Sequence, residues 1–550
     1  MSSNKQQSRH AQTGGHTFSN VPTANIQRSS FDRSSGLKTT FDIDQVVPIF
    51  VDEVLPGDTF NLRTTGFARL ATPIHPIMDN MYLETFYFAV PNRLLWDNWV
   101  RMLGEQDTPI SSTDFEIPTV STSPGGVGVG SLGDHLGIPP NVPDLQVNAL
   151  FHRAYFQIFN EWFRDQNLQA PVTVDTDDGP DPDTSLQFMF RRGKRHDYFT
   201  SCLPWPQKGE SVELPLGTTA PVVGIGRQQQ SENYPTVDEV VWETAGTSTV
   251  TYPQSTALGA ISGHEWFIKG SGATDGRPDI FADLSSANAV TINAMRQAFQ
   301  IQKMYERDAR GGTRHTEILK AHFQVTNPDF RMQRPEYLGG GSAPINISPI
   351  HSTADTSNIG AADEGANLAR LSGVGIASFT NHGFSKSFTE HCVVLGLASV
   401  RADITYQRGV HKMWRRRDKL DFYWPALSHI GEQAVLQEEI FAQSGTTQAP
   451  ENAKVFGYQE RFAEYRYKSS EIHGSFRSAI GPDTLDSWHL SQDFGTEAPT
   501  LNSDFIQNLT PLERCIAVQD EPHFIADFWH KLTCVRPMPL YGTPGDIDRF

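Results

Sequence analysis

MYLETFYFAV, residues 81–90, sets Glu84, Phe86, Phe88 and Val90 on one side and Leu83, Thr85, Tyr87 and Ala89 on the other. Period-two alternation with this much aromatic content, bounded by turn residues, is the mark of a β-strand. The same texture lies upstream in FDIDQVVPIFVDEV (41–54) and FNLRTTGFARL (60–70), with the turn Leu55-Pro56-Gly57-Asp58 between them. It returns at 384–406, 456–476 and 524–537, and CVVLGLASV (392–400) is an apolar run of strand length. Strands at both ends, with helices and long loops between, predict a mainly β chain. One antiparallel sandwich or jelly roll is built from the two ends, and its loops take up the middle.

The intervening sequence predicts helices at 93–103, at 151–162 and at about 289–307, with a shorter one at 313–323. In the second, Phe151, Tyr155, Ile158, Phe159 and Trp162 recur at helical spacing. Five segments follow from these textures. Residues 1–40 form a flexible basic arm. Residues 41–216 hold the first jelly-roll strands with loops and helices. Residues 217–286, rich in Gly, Ser, Thr and Gln, form a surface insertion with its own small β-structure. Residues 287–380 hold helices and a long irregular segment expected to lie against neighbouring subunits, and 381–550 the remaining strands and a tail.

The chain has 550 residues, 38% hydrophobic and 11% aromatic, enough for a core and too apolar for a disordered polymer. Its net charge of −18 argues against a dedicated nucleic-acid binder. The charge is uneven. Lys5, Arg9, Arg28, Arg33 and Lys38 stand against Asp32 alone in the first forty residues. Two basic clusters interrupt the acidic body: Arg191, Arg192, Lys194 and Arg195, and then Arg408 to Lys419 with Arg415, Arg416 and Arg417 beside Trp414. Arg beside Trp suits phosphate contact and base stacking on a single strand; salt bridges to loops or neighbouring subunits are the plainer reading of each cluster alone. Four scattered cysteines and no apolar leader at the N-terminus predict reduced thiols and folding in a cytoplasm.

Motifs for catalysis fail on context. Gly128-Val-Gly-Ser-Leu-Gly133 matches a dinucleotide pattern but follows a Ser-Pro-Gly-Gly loop instead of a strand. No P-loop, HExxH helix or GxSxG elbow is present. The acidic run DTDDGPDPD offers Asp175, Asp177 and Asp181 as a weak cation site, but without EF-hand spacing; a solvated acidic loop is the simpler expectation. No cofactor is expected. A carbohydrate-active β-sandwich enzyme, with carboxylate pairs such as Glu438 and Glu439, and a carbohydrate-binding module are the alternative functions.

Several phrases carry a resemblance: VPIFVDEVLPGDTFNL (47–62), YFAVPNRLLW (87–96), ARGGTRHTEILKAHF (309–323), QRPEYLGGGSAPINISP (333–349) and YGTPGDID (541–548). The sequence resembles the major capsid protein of the microviruses, tailless icosahedral bacteriophages with circular single-stranded DNA, and most closely their gokushovirus branch. The resemblance implies an eight-stranded jelly roll with long insertions, sixty copies in a T=1 shell, and a virion location after assembly in the bacterial host cytoplasm. It implies as partners the single-stranded DNA genome, a small basic internal DNA-binding protein, a pilot protein and a host cell-surface receptor. It offers no catalytic residues. For DNA contact, charge nominates Lys5, Arg9, Arg28, Arg33, Arg415, Arg416 and Arg417. For host attachment by the 217–286 insertion, Trp242, Tyr252 and Trp266 are the aromatics on which sugar rings stack.

Overall fold

The computed structural model describes residues 27–541 apart from 107, 109–111, 113, 211, 213–221, 229–238, 244–248, 262–263, 271–277, 283–291, 313–314, 325–332, 354–370, 445–448 and 479–483. It divides into two compact units, Trp205–Thr326 and the remainder.

The larger unit is a sandwich of two antiparallel sheets. Its strands are β1 (Ser29–Asp32), β2 (Ser35–Phe41), β3 (Val47–Val54), β4 (Thr59–Leu70), β5 (Met81–Pro91), β6 (Glu336–Pro344), β7 (Asn346–His351), β8 (Leu371–Ser387), β9 (Cys392–Ala402) and β10 (Phe524–Arg536). One sheet runs β1-β10-β4-β8-β7, with β2 also paired to β10; the other runs β6-β5-β9-β3. Phe60, Leu62, Phe384 and Leu532 of the first sheet meet Phe50, Tyr87, Ala89 and Val394 of the second in a shared core. Burying the Phe, Leu and Val side chains among these stabilises by roughly 1.5–3 kcal/mol each.

The four-stranded sheet is covered on both faces. Helix α1 (Leu150–Ile158) and the loops around it build a second core with Phe88, Val90, Val393, Leu395 and Leu397. That is why β9 is an unbroken apolar run and not an alternating one. Glu84 stands on the otherwise apolar face of β5 because Arg192 and Arg401 reach it. Burial would raise its pKa, but the guanidiniums outweigh burial and lower it. Most of the first basic cluster is thus engaged within the fold: Arg195 also pairs with Glu84 and Asp403, and Lys194 lies over the Phe505 ring at 4.2 Å, while Arg191 is exposed.

Two expectations are corrected here. The arm is not flexible up to residue 40: from Ser29 it forms β1 and β2, both laid along β10. Its polar composition is that of an edge with one solvated face. The stretch 326–380 is not simply irregular, since β6, β7 and the start of β8 lie in it. Gly339-Gly340-Gly341 lies inside β6. A Cβ on Gly340 would lie 2.0 Å from the Thr85 carbonyl oxygen and one on Gly341 2.4 Å from the His382 ring, so these glycines permit close approach within a strand.

The unit Trp205–Thr326 contains an antiparallel sheet ordered Val250–Tyr252, Glu239–Trp242, Ile225–Gln228, His264–Ile268 and Thr256–Ile261. The helices Ile292–Arg310 and His315–Phe323 belong to the same unit. Its buried apolar cluster among the described residues is Val241, Tyr252 and Phe267. The stripe Ile292, Met295 and Phe299 is exposed.

A hydrogen-bonded chain crosses the sandwich. Tyr87 donates to Thr64, Thr64 donates to His530 Nδ1 at 2.9 Å, and His530 Nε2 donates to the Ile49 carbonyl at 2.9 Å. The chain requires a neutral imidazole, and burial lowers its pKa from 6.5 to about 4. Asp44, buried beside Asn508 and Thr510, is raised by burial from 3.8 to about 6. The two act oppositely. The His530 contribution is complete above pH 6.5 and lost as pH falls towards 4; the Asp44 contribution is complete below 3.8 and lost as pH rises through 6. Each is worth on the order of 2–3 kcal/mol. In urea unfolding of the unassembled subunit from pH 7 to 4, His530→Gln is expected to flatten the loss of stability with acid, and Asp44→Asn to steepen it. Identical slopes in all three proteins would refute this assignment.

Candidate nucleic-acid interface

Among the described residues the six-stranded sheet has no buried apolar cluster on its outer face. Along β4 and β10 every even-numbered residue from Phe60 to Leu70 and from Phe524 to Cys534 is buried, and every odd-numbered residue from Asn61 to Arg69 and from Ile525 to Thr533 is exposed. The exposed set includes Arg63, Phe67, Arg69, Ile525, Asp527, Trp529 and Lys531, with Lys38 beside it on β2. Phe67 is 46% and Trp529 54% exposed.

The register makes this face cationic at one point in particular. Arg63 stands directly opposite Lys531, and on the other flank of Arg63 is Gly383. Like charges directly opposite across a strand pair are destabilising. Among the described residues no carboxylate forms a salt bridge with Arg63, Arg69 or Lys531, although the exposed Asp32 carboxylate on β1 feels the Lys531 charge, and Lys38 makes a loose, exposed contact with Asp527 at 3.7 Å. An oxyanion bound between Arg63 and Lys531 relieves their repulsion, and Trp529, on the same side of β10 two residues away, offers a stacking surface. Unpaired cations interleaved with exposed aromatics are the chemistry of a single-strand groove.

The residues nominated from sequence fall elsewhere. Lys5 and Arg9 lie outside the described residues. Arg28 donates to the Gly57 carbonyl, and Arg33 pairs with Asp52 at 2.6 Å. Arg415 pairs with Glu438, and Arg416 with Glu464 at 3.1 Å while lying 4.1 Å from the Tyr465 ring centroid. Only Arg417 of that trio has an exposed side chain with no ion pair among the described residues. The second cluster is therefore largely neutralised at home. The alternation of FNLRTTGFARL carries the signal for this face, since it separates Arg63 and Arg69 from Leu62, Ala68 and Leu70.

The acidic loop is corrected as well. Asp181 accepts two hydrogen bonds from buried Arg153 and one from His152 at 2.8 Å. Burial would raise its pKa, but these bonds outweigh it and hold it at about 2. Asp177 approaches Arg153 at 3.6 Å, and Asp178 accepts from Trp96 and Asn98. Asp181 is thus an internal anchor while Asp177 and Asp178 keep the solvent exposure expected of an acidic loop, and no group of three metal-ligating side chains comes together among the described residues. Asp175 is partly exposed beside it. In the smaller unit Tyr252 is 0% exposed and packs with Val241 and Phe267, which removes its ring from any sugar contact. Trp266 is 38% exposed, and Trp242 is partly buried with Arg227 5.8 Å from its ring centroid. Glu438 and Glu439 are both buried, one held by Arg415 and the other by Tyr198 at 3.0 Å, so each carboxylate of the pair is already engaged by its own chain.

Comparison with known proteins covers nearly the whole chain. A family model described as capsid protein (F protein) matches residues 19–546. Capsid protein VP1 of Bdellovibrio phage phiMH2K is 46% identical over 553 residues, covering 99% of this chain and 99% of that one. Capsid protein VP1 of Chlamydia phage 1 is 41% identical over 593 residues, with 96% and 97% covered. Capsid protein VP1 of Spiroplasma virus 4 is 33% identical over 554 residues, again with 96% and 97% covered.

Proposed function

This chain belongs to the capsid protein (F protein) family, and from that membership we propose that it is the major structural subunit of a T=1 icosahedral shell of sixty copies enclosing circular single-stranded DNA. It is a structural protein of a virion and not an enzyme. Four strands of each sheet, β2, β10, β4 and β8 with β6, β5, β9 and β3, form the eight-stranded jelly roll.

The observation that carries the nucleic-acid part is the bare sheet face with Arg63 opposite Lys531. It lines the interior and holds phosphate, in place of Arg415 and Arg416, whose charges are already met by carboxylates. A chain of net charge −18 does not neutralise a packed genome, so most countercharge comes from cations or from a small basic internal protein. The basic residues Lys5 and Arg9 add to the interior field. A pilot protein and a host receptor complete the partners, and assembly takes place in the host cytoplasm.

The insertion within Trp205–Thr326 carries host attachment through Trp266 and Trp242. Among its described residues the unit has a small buried cluster of its own, Val241, Tyr252 and Phe267. Replacing 225–280 with a short Gly-Ser linker is expected to leave uniform small shells in negative-stain images and to lower adsorption to host cells at least tenfold. Normal adsorption by the shortened shells overturns the attachment role, and a full-length protein that forms no shells overturns the capsid reading.

A further inference from the structure

Met413 to Ile430 exposes an unusual amount of apolar surface for a segment so firmly held. Trp414 is 75% exposed, Phe422, Tyr423 and Trp424 are each about half exposed, and Tyr465 joins them. Tyr423 lies 6.2 Å from Tyr465, and the Arg416 guanidinium spans Tyr465 and Phe422 at 4.1 and 5.7 Å from their centroids. Behind this surface the segment is pinned. Arg415 and Arg416 pair with the buried carboxylates of Glu438 and Glu464, Lys412 donates to the Ala434 carbonyl at 3.1 Å, and the Trp424 indole donates to the Lys419 carbonyl at 2.8 Å. The rings are therefore presented on a preorganised platform, which lowers the ordering cost of docking.

We infer that this aromatic platform is a subunit–subunit contact, covered in the assembled state by a second copy of this chain. The inference rests on the capsid reading. Area supports it first. At roughly 150–250 Å² per aromatic side chain, the five exposed rings present on the order of 500–600 Å², at the upper end of the largest patch on a typical monomer. With Leu420, 55% exposed, the surface approaches the roughly 800 Å² per partner of a standard interface.

Charge then separates a protein partner from nucleic acid. The cations of Arg408, Lys412, Arg415 and Arg416 are met by Asp493, Glu439, Glu438 and Glu464, and Asp418 and Asp421 stand in the same segment as Arg417 and Lys419. The platform is close to neutral, so it has no electrostatic hold on a phosphate backbone, unlike the sheet face with its unpaired cations. Aromatic, Met and Arg enrichment with charges internally satisfied is the composition of a protein interface.

The test uses the full chain. Trp414→Glu with Phe422→Glu places two charges where a neighbour must dehydrate them; shell yield by sedimentation is expected to fall at least tenfold, with the circular dichroism and melting temperature of the unassembled subunit unchanged. A photo-crosslinking amino acid at Leu420 in otherwise native shells is expected to give a product of twice the chain mass. Wild-type shell yield from the double variant, a crosslink to DNA, or no crosslink in intact shells would each overturn the contact. Should the native chain itself form no shells, the capsid reading fails first and the contact fails with it.

Discussion

Replacing Arg63, Arg69 and Lys531 together with Gln is expected to give subunits that fold and assemble but hold single-stranded DNA weakly. All three side chains point outward from strands whose other faces make the core, so the core is untouched. Stability is expected to stay level or rise by a few tenths of a kcal/mol, because the substitution removes a like-charge pair at directly opposed positions. Binding behaves differently. On single strands each neutralised phosphate contributes about −0.7 to the slope of log affinity against log salt. Losing three contacts makes that slope shallower by about 2, which corresponds to a roughly tenfold to twentyfold weaker dependence between 50 and 200 mM salt. Filter binding of an unstructured oligonucleotide to purified subunits reads the slope directly, and the absorbance ratio of purified particles reads DNA content. The paired cations give the contrast. Arg415→Gln and Arg416→Gln are expected to leave the slope unchanged and to lower subunit stability, since each leaves a buried carboxylate without its partner. A slope that moves with the second set and not with the first would remove the sheet face from consideration.

That contrast also marks how far the sequence was legible. Strand identity in MYLETFYFAV and FNLRTTGFARL followed from period two alone, and the family followed from phrases spread along the chain. What a sequence does not display is which cations have partners. Arg416 and Glu464 are forty-eight residues apart, and Arg192 and Glu84 more than a hundred, so local charge counting saw clusters where the fold makes pairs. The same distance hid the anchor in the acidic loop, because Asp181 meets Arg153 from a different element. The strand at 336–344 is hidden for another reason, the glycine run 339–341 within it. A glycine that admits a neighbouring backbone and a glycine that bends a loop are written with the same letter. Tyr252 was chosen as an aromatic in a polar insertion, and it is the small unit's scarcity of apolar residues that draws the ring inside.

The largest loss of subunit stability is expected from Arg153→Ala. Arg153 is 1% exposed on α1, and its guanidinium makes paired bonds to Asp181 while also donating to the carbonyls of Leu95 and Asp177, each at 3.0 Å. Removing it leaves a buried carboxylate, the buried Leu95 carbonyl and the partly buried Asp177 carbonyl with one fewer donor, and opens a cavity the length of the side chain. Breaking a buried ion pair from one side costs roughly 3–5 kcal/mol. The pair itself contributes much less, because burying both ions is also costly. Arg153→Met with Asp181→Leu, which removes both charges and keeps most of the volume, is therefore expected to recover the greater part of the loss, as read by urea midpoints at constant m. Acid gives an independent reading. With the Asp181 carboxyl held at about 2 against an ordinary 3.8, the stability it supplies is present above pH 3.8 and is lost as pH falls towards 2, and both variants are expected to lack that decline. The consequence reaches assembly, because this anchor fastens α1 and the loop at 175–183 over the four-stranded sheet, burying Phe88, Val393 and Leu395. A subunit without the anchor exposes that second core and aggregates instead of assembling, whereas the double variant still forms shells. If Arg153→Ala subunits assemble as readily as the native chain, the covering of the four-stranded sheet does not depend on this ion pair.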